Sequence, residues 1–294
     1  MNSEVERDEI YSATLSGKNC IVTGANSGIG KQTALGLAKM NANVIMLCRS
    51  EKRGEEAKRD ILNKVPDANI TLMLCDLASF HQIHDFVDKY NEKFNNLDVL
   101  INNAGVYLTD YEETIDGIQK MMQVNHFSPF LLTKLLLPSL KKTTPSRIIN
   151  VNSGAHNLGV IDTEDIPKIK KWKKTGMRGY ATSKFVNLLT IYKFHRILEG
   201  SQITVNAFNP GTTSTGLPRH SLGAKMMWKI ISPFIKSAKK AAQPLIYLAS
   251  NPNFHNKSGQ YYDMFEETKP AKESYKSNLQ NEMWKESLKV TQMD

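Results

Sequence analysis

The 294-residue chain has almost nothing from which to build covalent staples: its cysteines are Cys20, Cys48 and Cys75 alone. They are too few for a disulfide framework and too widely spaced for a zinc motif. Each sits in an apolar run, so they read as buried free thiols of a reducing compartment. An apolar run long enough to span a bilayer is also missing; the nearest, Pro129 to Leu140, is interrupted by Lys134 and Pro138. Residues 1–16 are polar and mixed in charge, with neither a signal-peptide nor a transit-peptide pattern. A soluble cytoplasmic protein is the expectation. No internal repeat or low-complexity linker breaks the chain. At 40% hydrophobic and 23% charged residues, the composition excludes long disorder and collagen-like structure. Acid is the other shortage: 29 Asp+Glu face 38 Lys+Arg, a net charge of +9. Such an excess suits nucleic acid, an anionic membrane surface or a phosphorylated ligand.

What the chain does have is alternation. Asn19–Thr23, Val44–Cys48, Ile70–Cys75, Leu97–Ile101, Arg147–Val151 and Ile203–Phe208 read as strands. Several are apolar throughout, as strands buried on both faces must be. Stretches with a 3.6-residue period lie between them, such as Ala57, Ile61, Leu62 and Val65. Repeated strand–helix alternation predicts an α/β fold, a doubly wound parallel sheet of the Rossmann type in a single domain. That domain is expected over residues 17–265, with 1–16 and 266–294 as extensions. Ligands of such sheets bind beyond the C-terminal strand ends, so chemistry is sought there.

The first strand runs into Thr23, Gly24, Ala25, Asn26, Ser27, Gly28, Ile29 and Gly30, and a helical pattern follows. Three glycines at this spacing permit a tight turn, close approach of backbone to phosphate, and close helix–strand contact. The helix start then offers free N–H groups to a pyrophosphate. The end of the second strand reads the adenosine ribose, and an acid there would select NAD. This chain has Cys48-Arg49-Ser50, with no acid before Glu51. Arg49 can pair with a 2′-phosphate, as can Lys31, so NADP(H) is the predicted cofactor.

Tyr180 and Lys184 are four residues apart at the start of a strong helical pattern, which puts them one turn apart on one face. The fifth strand ends at Asn152-Ser153 and the fourth at Asn102-Asn103-Ala104-Gly105; Asn125 lies in the helical stretch after the fourth. An ammonium about 5 Å from a phenol, at an effective dielectric near 20, is worth roughly 3 kcal/mol, or about two pKa units. That would bring a tyrosine down from ~10 toward a useful value.

On these residues the sequence resembles the short-chain dehydrogenase/reductase family over about residues 16–265. Thr23–Gly30 is similar to its cofactor loop, Asp76-Leu77 to its adenine-contacting pair, and Asn102–Gly105 to its Asn-Asn-Ala-Gly motif. Tyr180 to Lys184 is similar to its Tyr-x-x-x-Lys, and Pro210-Gly211 with Thr215 to its nicotinamide-side loop. Lys31, Cys48-Arg49 and Ala155-His156 look most like the retinol dehydrogenase-like branch, which also takes in the WW domain-containing oxidoreductase. The resemblance implies Tyr180 as general acid or base, Lys184 as its partner and a nicotinamide-ribose ligand, Ser153 as holder of the substrate oxygen, and Asn125 as anchor of a relay water. Two departures stand out: Asn152 replaces a serine common in the family, and no apolar N-terminal anchor of the kind found in several retinoid-active relatives is present. The second argues against retinoid activity and an endoplasmic-reticulum location.

His81, His84, Asp85 and Asp88 share a predicted helix, but they lie away from the strand ends and read as a surface face rather than a metal site. Substrate specificity is expected from 154–179 and 213–237. The latter holds Leu217, Leu222, Met226, Met227, Trp228, Ile230, Ile231, Phe234 and Ile235, suited to a lipophilic alcohol, aldehyde or ketone. From Gly200 to Tyr262 there is no acid, while Arg219, Lys225, Lys229, Lys236, Lys239, Lys240 and Lys257 are present. A second basic cluster runs from Lys168 to Lys174. Cations beside apolar side chains predict a peripheral contact with an anionic membrane. No nucleic-acid motif accompanies the charge. A cofactor-binding regulator without turnover would have lost Tyr180, Lys184 or Ser153, which are all here; a broad xenobiotic carbonyl or quinone reductase is the other alternative. A homodimer is expected from relatives of this fold, many of which pair through helices.

Overall fold

A computed structural model describes residues 10–161, 166, 176–211 and 237–293. Six strands stand where the apolar runs predict them: β1 Asn19–Thr23, β2 Asn43–Cys48, β3 Ile70–Leu74, β4 Val99–Asn102, β5 Ser146–Val151 and β6 Ile203–Asn209. Two short ones follow, β7 Tyr261–Asp263 and β8 Glu266–Thr268. The sheet order is β3-β2-β1-β4-β5-β6-β7-β8, parallel throughout except that β8 runs antiparallel to β7. The strand order reverses direction between β1 and β4, and the crevice beyond their C-terminal ends is the expected ligand position.

Helices cover both faces. α1 is Gly28–Lys39, α2 Glu51–Leu62, α3 Phe80–Lys93, α4 Ser128–Lys141, α5 Gly176–Ile197, α6 Ala238–Ser250 and α7 Ser277–Thr291. Alternating strand residues divide the core. Val22, Val44, Met46 and Ile101 pack with Leu37, Leu245 and Ile246 on one face. Ile21, Ile45, Leu100 and Ile148 pack with Ile83, Phe86, Leu136 and Leu188 on the other. This double burial explains why the strands carry no polar alternation. Serines start several helices: Ser50, Ser79 and Ser237 accept from the backbone N–H groups of Arg53, Gln82 and Lys240, which satisfies donors the helix cannot.

The C-terminal stretch is built into this core. Trp284 of α7 stands edge-on to Phe130, at 5.0 Å between ring centroids, and to Phe194, at 4.7 Å. Met283 is buried with Met122, Phe127 and Phe185. The three cysteines are buried and free. Among the described residues no helix is long and apolar enough to cross a membrane, and no three His, Cys, Asp or Glu side chains converge as metal ligands would. His81 and His84 lie on the exposed side of α3.

Candidate active site

The phosphate-loop candidate is assembled by β1, α1 and the end of β4. Thr23 closes it: its Oγ1 accepts from the backbone N–H groups of Asn103 and Ala104, both at 2.9 Å. The Asn103 side chain donates back to the Thr23 carbonyl at 2.8 Å. Gly24 has φ +66, and a Cβ there would sit 3.1 Å from the Ala104 Cα. At Gly30 a Cβ would lie 2.5 Å from both the Gly24 carbonyl oxygen and the Asn103 Nδ2. These glycines let helix, turn and the Asn103-Ala104 segment nest. Ser27, the residue before α1, makes no side-chain capping bond, so the first amides of α1 keep no side-chain acceptor and are suited to an anion. The residues present therefore fit the pyrophosphate of a dinucleotide: Asn26, Ser27, Gly28 and Ile29 at the turn, with Gly24 and Gly30 beneath it.

At the corner expected to take the adenosine, Arg49 is exposed at the end of β2. Lys31 is ion-paired with Asp60 of α2, and that pairing holds the Asp60 carboxyl below its usual pKa. Asp76 organises the chain after β3: its Oδ1 accepts from Ala78 N at 2.9 Å, and its own N–H donates to Gln82 Oε1 at 2.9 Å. Leu77 is buried next to it, its carbonyl held by the Ser128 hydroxyl.

Tyr180, Lys184, Ser153 and Asn125 are brought to one place. Ser153 follows β5 and opens a short 3-10 turn, Gly154–Leu158, where its Oγ accepts from Ala155 N at 3.2 Å. Tyr180 lies beside Ser153, whose hydroxyl lowers the Tyr180 pKa. The Lys184 Nζ lies 5.8 Å from the centre of the Tyr180 ring and donates to the Val151 carbonyl at 2.8 Å. Asn125 belongs to a π-helical turn, Gln123–Phe127, between a short helical turn Lys120–Met122 and α4. Its amide is locked on three sides: Oδ1 accepts from Val106 N at 2.8 Å, while Nδ2 donates to Val106 O at 2.9 Å and to Ser183 Oγ at 3.0 Å. π-turns recur at functional sites because the widened turn re-aims side chains. A Cβ on Gly105 would meet Asn125 Oδ1 at 3.3 Å and Lys184 Nζ at 3.5 Å, so that glycine keeps the two groups accessible. Pro210 and Gly211 follow β6, with Gly211 at φ +66. Thr215 lies outside the described residues, as do 212–236, 162–165 and 167–175, which include half of the substrate-side segment 154–179 and all of 213–237 but its last residue.

The electrostatics differ from the expectation that Lys184 lowers Tyr180. Burial raises the Tyr180 pKa above its ordinary 10, and the Ser153 hydroxyl opposes this only in part. Lys184, buried at 4% exposure, is itself pushed down to about 8. Desolvation is the largest cause of the shift for both groups. The phenol thus stays protonated at neutral pH, and the lysine remains mainly cationic.

Three further contacts at the site were not assigned from the sequence. Tyr107 packs edge-on to Tyr180 at 5.6 Å. Asn152 donates to the Lys184 carbonyl at 2.9 Å and accepts from Ser153 N at 2.8 Å, so the position that departs from the family's serine ties β5 to α5. His156 binds the Ser153 carbonyl through Nδ1 at 2.7 Å. Its place three residues after Ser153 was the available signal for this contact.

A doubly wound sheet with a glycine-lined anion cradle at its reversal point and a hydroxyl–phenol–ammonium set beside it defines a dinucleotide-binding α/β protein. The family model for short chain dehydrogenases matches residues 18–164, and the chain belongs to that family of oxidoreductases. It is 38% identical to human Retinol dehydrogenase 13 over 291 residues, covering 96% of this chain and 87% of that protein. A solved structure from Mycobacterium paratuberculosis superposes with a TM-score of 0.77 at 27% identity, covering 95% of each chain. A short chain dehydrogenase from Shigella flexneri, solved with NADP, gives 0.68 at 22% identity, covering 86% of this chain and 99% of that one.

Proposed function

We propose that this protein is an NADP(H)-dependent oxidoreductase that interconverts a lipophilic alcohol and its aldehyde or ketone. The observation carrying this reading is the Ser153–Tyr180 hydroxyl pair beside buried Lys184, directly beyond the strand ends that carry the glycine turn. The bound nicotinamide supplies or accepts the hydride. Ser153 holds the substrate oxygen, and Tyr180 delivers or removes its proton at the phenolic oxygen. Lys184 keeps a positive charge near the phenol, and Asn125 holds the α4 side of the relay. A phenol kept protonated by burial favours the carbonyl-reducing direction, in which Tyr180 donates to the oxygen as it gains charge.

Support for the phosphate-bearing cofactor comes from Arg49 and Lys31 at the adenosine corner, and from structural neighbours solved with NADP or NADPH. Support for a lipophilic substrate comes from relatives named as retinol dehydrogenases and from the apolar residues beside the site. Leu158 and Val160 after the Ser153 turn and Met177 at the start of α5 are exposed apolar side chains on the two segments that follow Ser153 and precede Tyr180. The acid-free, basic composition of residues 200–262 supports peripheral contact with an anionic membrane; salt-sensitive flotation with anionic liposomes checks it. The test of function is turnover of retinal, steroid ketones, long-chain aldehydes and quinones with NADPH and NADH. Tyr180→Phe should bind NADPH with unchanged fluorescence enhancement and lose turnover by about a thousandfold or more. Full turnover by that variant would overturn the mechanism.

A further inference from the structure

Two buried histidines connect the site to the C-terminal stretch, and each has a fixed tautomer. His156 Nε2 faces the backbone N–H of Ala271 at 3.2 Å. An amide can only donate there, so Nε2 accepts and the ring proton sits on Nδ1. Nδ1 lies 2.7 Å from the Ser153 carbonyl, with the Tyr261 hydroxyl 3.4 Å away. The imidazole therefore bridges the chain before α7 to the backbone of Ser153 itself. His126, next to Asn125 in the π-turn, approaches Ser287 Oγ of α7 through Nε2 at 2.9 Å. That hydroxyl spends its proton on the Met283 carbonyl at 2.6 Å, so His126 donates from Nε2 and carries the opposite tautomer. Burial keeps both rings neutral.

We propose that the stretch from Ala271 to Ser287 is a working part of the active site, fastening the Ser153 turn through His156 and the Asn125 turn through His126. The two histidines are positioning residues: neither touches the reacting groups, and each holds the backbone that carries one. The proposal rests on the functional reading of Ser153 and Asn125 given above. It explains why the packing of Trp284 and Met283 is joined to two polar contacts made at the site end of the sheet, rather than to apolar contacts alone.

One substitution removes a single donor. Ala271 follows Pro270 and has φ −48, near the value proline requires, so Ala271→Pro deletes the N–H that His156 accepts from. Ala271→Gly keeps that N–H and is its control. In Ala271→Pro, kcat is expected to fall about tenfold to a hundredfold with the KM for NADPH unchanged, the response to a misplaced reacting group. Amide hydrogen exchange over 153–161 should rise in parallel, and Ala271→Gly should change neither. Ser287→Ala should raise exchange over 123–128 and lower kcat by several-fold, and it carries the test if Ala271→Pro does not fold. Wild-type kcat in the folded variants overturns the proposal, and so does unchanged exchange. The exchange readout needs no turnover: a failed functional reading appears as an unmodified protein inactive on every substrate, while the exchange comparison still decides whether the stretch fastens the two turns.

Discussion

Lowering the pH from 7 to 5 should weaken the fold through His126, and the size of the effect follows from its enclosure. The ring is fully buried between Phe127, at 4.6 Å between centroids, and Phe130, at 6.3 Å. Its Nδ1 has no hydrogen-bond partner. Burial alone moves its pKa from 6.5 to about 3. The folded state therefore refuses a proton that the unfolded chain accepts, so stability is complete above the unfolded value and is lost as pH falls toward the folded one. At pH 5 the unfolded ring is protonated over neutral by a factor of about 30, which corresponds to a loss of about 2 kcal/mol, and the loss would reach about 4 kcal/mol near pH 3. The assay is urea unfolding at pH 7 and pH 5 for the wild type and for His126→Gln, whose side chain keeps a donor for Ser287 but does not titrate. His156, His195 and His255 are also held down by burial, but they are common to both proteins and cancel. The wild type should lose about 2 kcal/mol more than the variant between the two pH values. Parallel losses would refute the claim that His126 is buried neutral.

Arg49→Asp should weaken NADPH binding by about tenfold to a hundredfold, as the loss of a charged hydrogen-bonding partner implies, and should narrow the preference over NADH; an unchanged preference in fluorescence titration would remove Arg49 from the cofactor site. Gly30→Ala should lower stability by about 1–3 kcal/mol, since its methyl meets the Gly24 carbonyl oxygen at 2.5 Å; thermal unfolding measures this, and NADPH affinity should fall with it. Arg147, buried at the start of β5, donates to the Leu248 carbonyl at 2.7 Å and the Asn251 carbonyl at 2.8 Å at the end of α6. Arg147→Leu strands both acceptors and should cost about 3 kcal/mol, read as a lower urea midpoint with the secondary structure retained.

The sheet was legible in the sequence because strands buried on both faces must be apolar at every position, as Val44–Cys48 is. β7 and β8 were not, since three residues are too few to show a period; Tyr261 and Tyr262 are buried by neighbours from distant sequence. Ser153 could be nominated from its strand end and Tyr180 and Lys184 from their helical spacing, whereas Asn125 and the roles of all four came from the resemblance to the family's motifs. What held them could not be nominated. The Asn152 bonds to Lys184 and Ser153, and the His126 bond to Ser287, join residues 32, 1 and 161 positions apart. All but one of those separations lie beyond any local pattern. The direction of the Tyr180 shift was also hidden, because pairwise attraction can be guessed from spacing whereas desolvation depends on everything that encloses the ring.

The π-turn has a consequence for how freely this stretch of chain can vary. Ordinary surface helices keep a wet side on which residues can drift. Gln123, Val124, Asn125, His126 and Phe127 are all buried: Asn125 is committed to the Val106 backbone, His126 to Ser287, and Phe127 to the cluster around Met122. A one-residue deletion restoring regular α-helix would rotate everything on one side by about 100°, breaking all these commitments together. This five-residue segment has no neutral position, and changes tolerated elsewhere along the helices should be purged from it.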